Sequence, residues 1–167
     1  MTCVYKGILD EECEQLYQAA GLPVHIRAHC RAVGELSAHM AYMLNQKGYS
    51  LNVELCRDGG YVHDICRLSP GHEKAAGIFL TEKGHVQLAE VAKRHRGFDE
   101  HEPETVCEEW VIVCLADKLI QEDQRVTLEQ RYQKALEKRP VKERILRDIC
   151  ILKRLLKEYE VITGEQL

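Results

Sequence analysis

Apolar residues return at three- and four-residue steps along almost the whole chain, and no stretch alternates apolar with polar convincingly. That period admits helices packed on helices and little else. It predicts helices near 10–20, 24–47, 52–67, 70–83, 86–95, 104–121, 127–138 and 141–160. The breaks fall at Gly21-Leu22-Pro23, Gly48, Ser69-Pro70-Gly71, Gly84, the acidic run Asp99-Glu100-His101-Glu102-Pro103, and Arg139-Pro140. Neither a repeat nor a low-complexity linker separates the segments. The expected fold is an all-α, single-domain bundle of seven or eight helices over residues 1–167. At 167 residues and 45% apolar, such a chain can close a core without disulfides or a structural metal.

No run approaches the roughly 18 apolar residues that a membrane span requires. The first residues, MTCVYKGILDEECEQL, carry acids where a secretion signal needs positive charge ahead of an apolar run. A cytoplasmic protein is expected. The 8 cysteines (Cys3, Cys13, Cys30, Cys56, Cys66, Cys107, Cys114 and Cys150) form no CxxC pair. In VCEEWVIVCLADKLI, Cys107 and Cys114 stand where any small apolar side chain would serve. Reduced, buried hydrophobes are expected, not a disulfide framework or a thiolate metal site. The net charge of −4 argues against nucleic acid as the main partner. Between Arg125 and Glu158 there are 11 Lys and Arg against 5 Asp and Glu. This basic stretch reads as a solvated helical face.

The informative residues are polar ones on apolar faces. His29, Val33, Leu36, Met40 and Leu44 form one helical stripe, so His29 points inward. VELCRDGGYVHDICR is apolar nearly all round, as a central helix is, and ends in His63-Asp64. Gly59-Gly60 lowers helix propensity there and marks the close approach of another backbone. Ser69-Pro70 reads as N-cap and first helical residue, which puts His72 in the first turn on one face with Ala75, Ala76 and Phe79. His95 ends a stripe of Leu88, Val91 and Ala92. Val106, Trp110, Val113, Asp117 and Ile120 share a face, which sets a carboxylate within an apolar stripe. Buried alone it would be strongly unfavourable, so it needs a cation or a proton. One inward histidine reads as a satisfied core residue, and Asp117 alone could pair with a buried arginine. Five helices each delivering imidazole or carboxylate to one interior form the pattern by which bundles hold metal. Such donors suit Mn, Fe, Mg, Ni or Zn.

Taken in order, His29 (in HIRAHCRAVGEL), His63-Asp64 (in YVHDICR) and Asp117 (in CLADKLI) resemble the signature of the HD-domain superfamily of metal-dependent phosphohydrolases. The resemblance spans roughly 22–121 as the HD core, with 126–160 as a C-terminal helical extension. His72 in PGHEKAAGIFL and His95 in VAKRHRGF look like the added histidines of HD subgroups that hold two metals. The C-terminal VTLEQRYQKAL resembles HD domains fused to, or encoded beside, molybdenum-cofactor nucleotidyltransferases.

The resemblance implies one or two divalent ions. His29, His63, Asp64 and Asp117 would hold the first, and His72 and His95 the second, with Asp64 bridging as the central catalytic residue. It implies hydrolysis of a nucleotide or other small phosphate ester through a metal-activated hydroxide. Arg67, Arg96 and Lys118 are the nearest candidates to grip the substrate phosphate. Many relatives carry Gly-Lys after the doublet, whereas here Cys66-Arg67 follows Ile65, and Gly59-Gly60 replaces larger apolar residues before it. His25 lies one turn before His29, but His29 fits the stripe and the family spacing. A non-catalytic metal- or nucleotide-binding regulatory module and a helical interaction protein are the alternative readings. The expected partner is a small phosphorylated substrate, without membrane or nucleic acid, in a monomer or homo-oligomer.

Overall fold

The computed structural model describes residues 5–95, 97–98 and 102–167. Cys3, Arg96 and residues 99–101 of the acidic run lie outside the described residues. Among the described residues there are eight helices and one two-stranded hairpin. The helices are α1 (Asp10–Ala19), α2 (Val24–Asn45), α3 (Val53–Val62), α4 (His72–Glu82), α5 (Val86–Arg94), α6 (Glu109–Lys118), α7 (Leu128–Glu137) and α8 (Glu143–Thr163). The hairpin pairs β1 (Ile120–Gln121) with β2 (Gln124–Arg125) between α6 and α7. The all-α fold expected from the periodicity is the fold observed. No helix among the described residues is long and apolar enough to cross a membrane.

Two apolar clusters organise the bundle. The larger gathers Val33, Met40 and Leu44 of α2, all of α6 from Trp110 to Ala116, and Leu152, Leu155 and Tyr159 of α8. The smaller gathers Cys13, Leu16 and Tyr17 of α1, Leu80 of α4, and Leu88 and Ala92 of α5, together with Ile65. α3 lies between them and crosses α2 through glycine. A Cβ built on Gly60 would lie 2.4 Å from Gly34 Cα, so neither position admits a side chain. The close approach expected at Gly59-Gly60 is therefore an α2–α3 contact, with Gly59 set against Val91 of α5.

Several boundaries depart from the periodic reading. The 52–67 helix stops at Val62, and His63 to Leu68 form turns. The His63 imidazole takes the Gly60 carbonyl at 2.6 Å. That carbonyl is the acceptor Asp64 N–H would use in a continued helix, and Ile65 N–H turns instead to Val62 O at 3.1 Å. Ser69-Pro70 does not begin α4: Gly71, left-handed at φ 60°, precedes His72, the first helical residue. α6 begins at Glu109, later than the expected 104, because Glu158 of α8 holds the preceding segment irregular. Its carboxylate accepts from Thr105 Oγ1 at 2.6 Å and from Val106 N–H at 3.1 Å. Val106 is buried as expected, but outside the helix. The hairpin escaped the alternation test because each strand is two residues long. Thr127 caps α7 in a reciprocal pair with Gln130.

The seven described cysteines are free. Cys13, Cys30, Cys56 and Cys114 are buried, whereas Cys66 and Cys107 are half-buried and Cys150 is exposed on α8, against the expectation that all are core residues.

Candidate metal centre

Six donors come from five places in the bundle and meet where α2, α3, α5 and α6 converge. His29 projects from the second turn of α2, His63 and Asp64 follow α3, and His72 opens α4. His95 follows the last residue of α5, and Asp117 sits in the last turn of α6. His29 Nε2 is 3.0 Å from Asp117 Oδ1, and His63 Nε2 is 3.5 Å from the same oxygen. His63 Nε2 is also 3.7 Å from Asp64 Oδ2. The other oxygen of that carboxylate, Asp64 Oδ1, faces the opposite way. It is 3.3 Å from His95 Nε2 and 3.5 Å from His72 Nε2.

Five of the six donors thus fall into two groups compact enough to hold a metal ion: His29, His63 and Asp64 in one, and Asp64, His72 and His95 in the other. Asp117, expected as a fourth ligand of the first ion, is in neither and meets His29, His63 and Lys118 instead. Asp64 belongs to both. Neither group contains a cysteine. His25, weighed against His29 as a donor, is exposed on the rim and has no part in either group.

Backbone carbonyls set the direction of three imidazoles. His29 Nδ1 bonds Glu122 O at 2.7 Å, His63 Nδ1 bonds Gly60 O, and His95 Nδ1 bonds Ala92 O at 2.6 Å. A carbonyl can only accept, so each Nδ1 carries the proton and each Nε2 is turned inward, with its lone pair exposed whenever the ring is neutral. Ligating histidines are commonly fixed in this way.

Burial makes the cluster electrostatically demanding. His63 is wholly buried, and Asp64 and Asp117 nearly so. His63 Nε2 and Asp64 Oδ1 are buried atoms without a hydrogen-bond partner. Each orphaned group would be costly in a core that held nothing against it. A divalent cation accepts both a neutral imidazole and a carboxylate oxygen, so the donor set fits such an ion.

The charges already present work the same way. Burial would raise the Asp117 carboxyl, but Lys118, His29 and His63 outweigh it and hold it well below the usual range. For Asp64 burial is again opposed, by His63 and His95, and the result is again depressed. Burial pushes the His72 imidazole down.

His29, Asp64, His72, His95 and Asp117 line a cleft of about 680 Å³ together with Ile26 and Ala28, while His63 lies buried behind them. Lys118 pairs with Asp117 and is largely buried, and Arg67 stands 3.7 Å from Asp64 Oδ1. Both line the cleft; Arg96, the third cation named from sequence, lies outside the described residues. Glu122 and Asp123 of the hairpin turn form part of the rim, and Arg131 of α7 also lines the cleft. Sequence reasoning passed over Arg131 as part of a solvated basic face. The signal was its place three residues after Leu128 and beside Tyr132, on the inward side of α7.

A family model described as HD domain matches residues 26–152. A protein of Methanocaldococcus jannaschii, itself described as uncharacterized, is 42% identical over 74 residues. That match covers 41% of this chain and 43% of the relative, so the chain spans less than half of that protein's length. No solved structure matches the chain.

Proposed function

This chain belongs to the HD-domain family, a superfamily mostly of metal-dependent hydrolases, and on that premise we propose that it is a phosphohydrolase cleaving a nucleotide or another small phosphate ester. The observation that carries this reading is the divided carboxylate of Asp64, with one oxygen toward His63 and the other toward His72 and His95. In this reading His29, His63, Asp64 and Asp117 hold one divalent ion, and Asp64, His72 and His95 a second. The metal supplies Lewis acidity, which lowers the pKa of bound water and neutralises charge on a phosphoryl group.

The chain's own groups do the rest. The carbonyls of Gly60, Ala92 and Glu122 keep their imidazoles in the Nδ1-protonated form and aim Nε2 at the centre. Lys118 beside Asp117 and Arg67 beside Asp64 bring positive charge to the point where a substrate phosphate enters. The cleft, at about 680 Å³, is large enough for a mononucleotide, which suits a small ester.

The test is metal analysis of protein purified without chelator, followed by hydrolysis of a chromogenic phosphomonoester and a nucleotide panel with added Mn. Turnover that vanishes in Asp64→Ala, together with lost metal, is the expected result. Metal binding with no turnover on any ester would leave a regulatory binding module instead.

A further inference from the structure

Among the described residues, the cleft cation held by a backbone atom is Arg131, which comes from α7, beyond the doublet and both acidic ligands. Its Nη1 donates to Ile120 O at 2.7 Å, which ties the guanidinium to the strand leaving α6. Its Nη2 forms an ion pair with Asp117 Oδ1 at 3.8 Å, too long for a hydrogen bond. One edge of the fork is thus immobilised, and the other faces the cleft beside the carboxylate that His29 and His63 approach. Lys118 hydrogen-bonds the same Asp117 carboxylate directly through its other oxygen. Arg67 is half exposed on its turn.

From this geometry we infer that Arg131 is a substrate-binding residue, whose cleft-facing edge, held to Asp117 only by a long ion pair, takes a non-bridging oxygen of the phosphate group. The inference rests on the phosphohydrolase reading for what the ligand is. A guanidinium suits the task because it stays charged and its paired N–H groups match two phosphate oxygens. Holding one nitrogen on a carbonyl removes much of the rotamer freedom a long side chain would otherwise lose on binding. The capping of α7 by Thr127, and the burial of Leu128, fix the backbone from which Arg131 reaches.

The experiment uses the full chain loaded with Mn. Binding of inorganic phosphate is measured by calorimetry, and hydrolysis of the chromogenic ester is followed in parallel. Arg131→Ala should weaken phosphate binding about tenfold or more, with metal content unchanged. KM should rise in proportion, and Arg131→Lys should recover part of the loss. Lys134→Ala removes an exposed charge from the same helix and should leave phosphate affinity unchanged.

If Arg131 only braces the hairpin, Arg131→Ala lowers the melting temperature while the folded protein binds phosphate as before, and the inference is overturned. If phosphate binding depends on Arg131 but no ester is hydrolysed, the inference stands and the enzyme reading fails. If the wild-type protein hydrolyses esters and Arg131→Ala matches it in KM and phosphate affinity, the enzyme reading stands and the inference fails.

Discussion

At the scale of single residues the centre is governed by His63. Its complete burial would strip the proton, yet the Asp64 charge outweighs burial and holds its pKa well above the ordinary 6.5. In protein stripped of metal this imidazole carries a proton near neutrality. Its contribution to folding is then complete below the ordinary histidine value and is lost as pH rises through the raised one. A cation needs the neutral ring, so loading must expel the proton. Asp64 and Asp117 are held low and do not compete for protons in this range. Affinity for Mn should therefore climb as pH rises and level off once the raised value is passed. Calorimetry in two buffers of different ionisation heat reads the released proton directly. Identical heats in both buffers would show that His63 is neutral before metal arrives.

Among the elements, the α2–α3 crossing tolerates least change. Gly60→Ala drives a Cβ onto Gly34 Cα, backbone against backbone, and no rotamer relieves it. The helices must separate, at a cost of roughly 1–3 kcal/mol or more. His29 and His63 ride on those two helices, so metal affinity should fall together with the denaturation midpoint. A variant that melts early but binds Mn normally would uncouple the crossing from the site. This crossing was legible in the chain as two adjacent glycines, His29, His72, His95 and Asp117 as polar residues on apolar faces, and His63-Asp64 as the polar end of a buried segment. Both signals survive in sequence because the helices, or the turns that directly follow them, carry these side chains toward the interior. What stayed hidden depended on partners far away or on local competition for a carbonyl. The irregular run before α6 exists because Glu158 claims Val106 N–H from 52 residues downstream. The end of α3 is set by the imidazole on Gly60 O. Arg131 was obscured by the many lysines and arginines around it, which do face water.

Across the whole molecule the donors come from chain segments as far apart as His29 and Asp117, 88 residues in sequence. No unfolded chain presents them together, so bound metal adds to folding stability by mass action, about 2.7 kcal/mol at a hundredfold excess over Kd. Protein saturated with Mn or Fe should carry about two ions per chain, and the His72→Ala, His95→Ala double variant about one, since imidazoles hold the second ion. The melting temperature should drop by the share that ion contributes. A wild-type protein that never exceeds one ion per chain would refute the paired centre. The carbonyls that orient His29, His63 and His95 belong to main chain, not to side chains that replacement could remove. The walls of the cleft are therefore free to drift. A lineage could recut Ile26, Ala28 or Asp123 for a new ester while the inherited chemistry beneath them kept its aim.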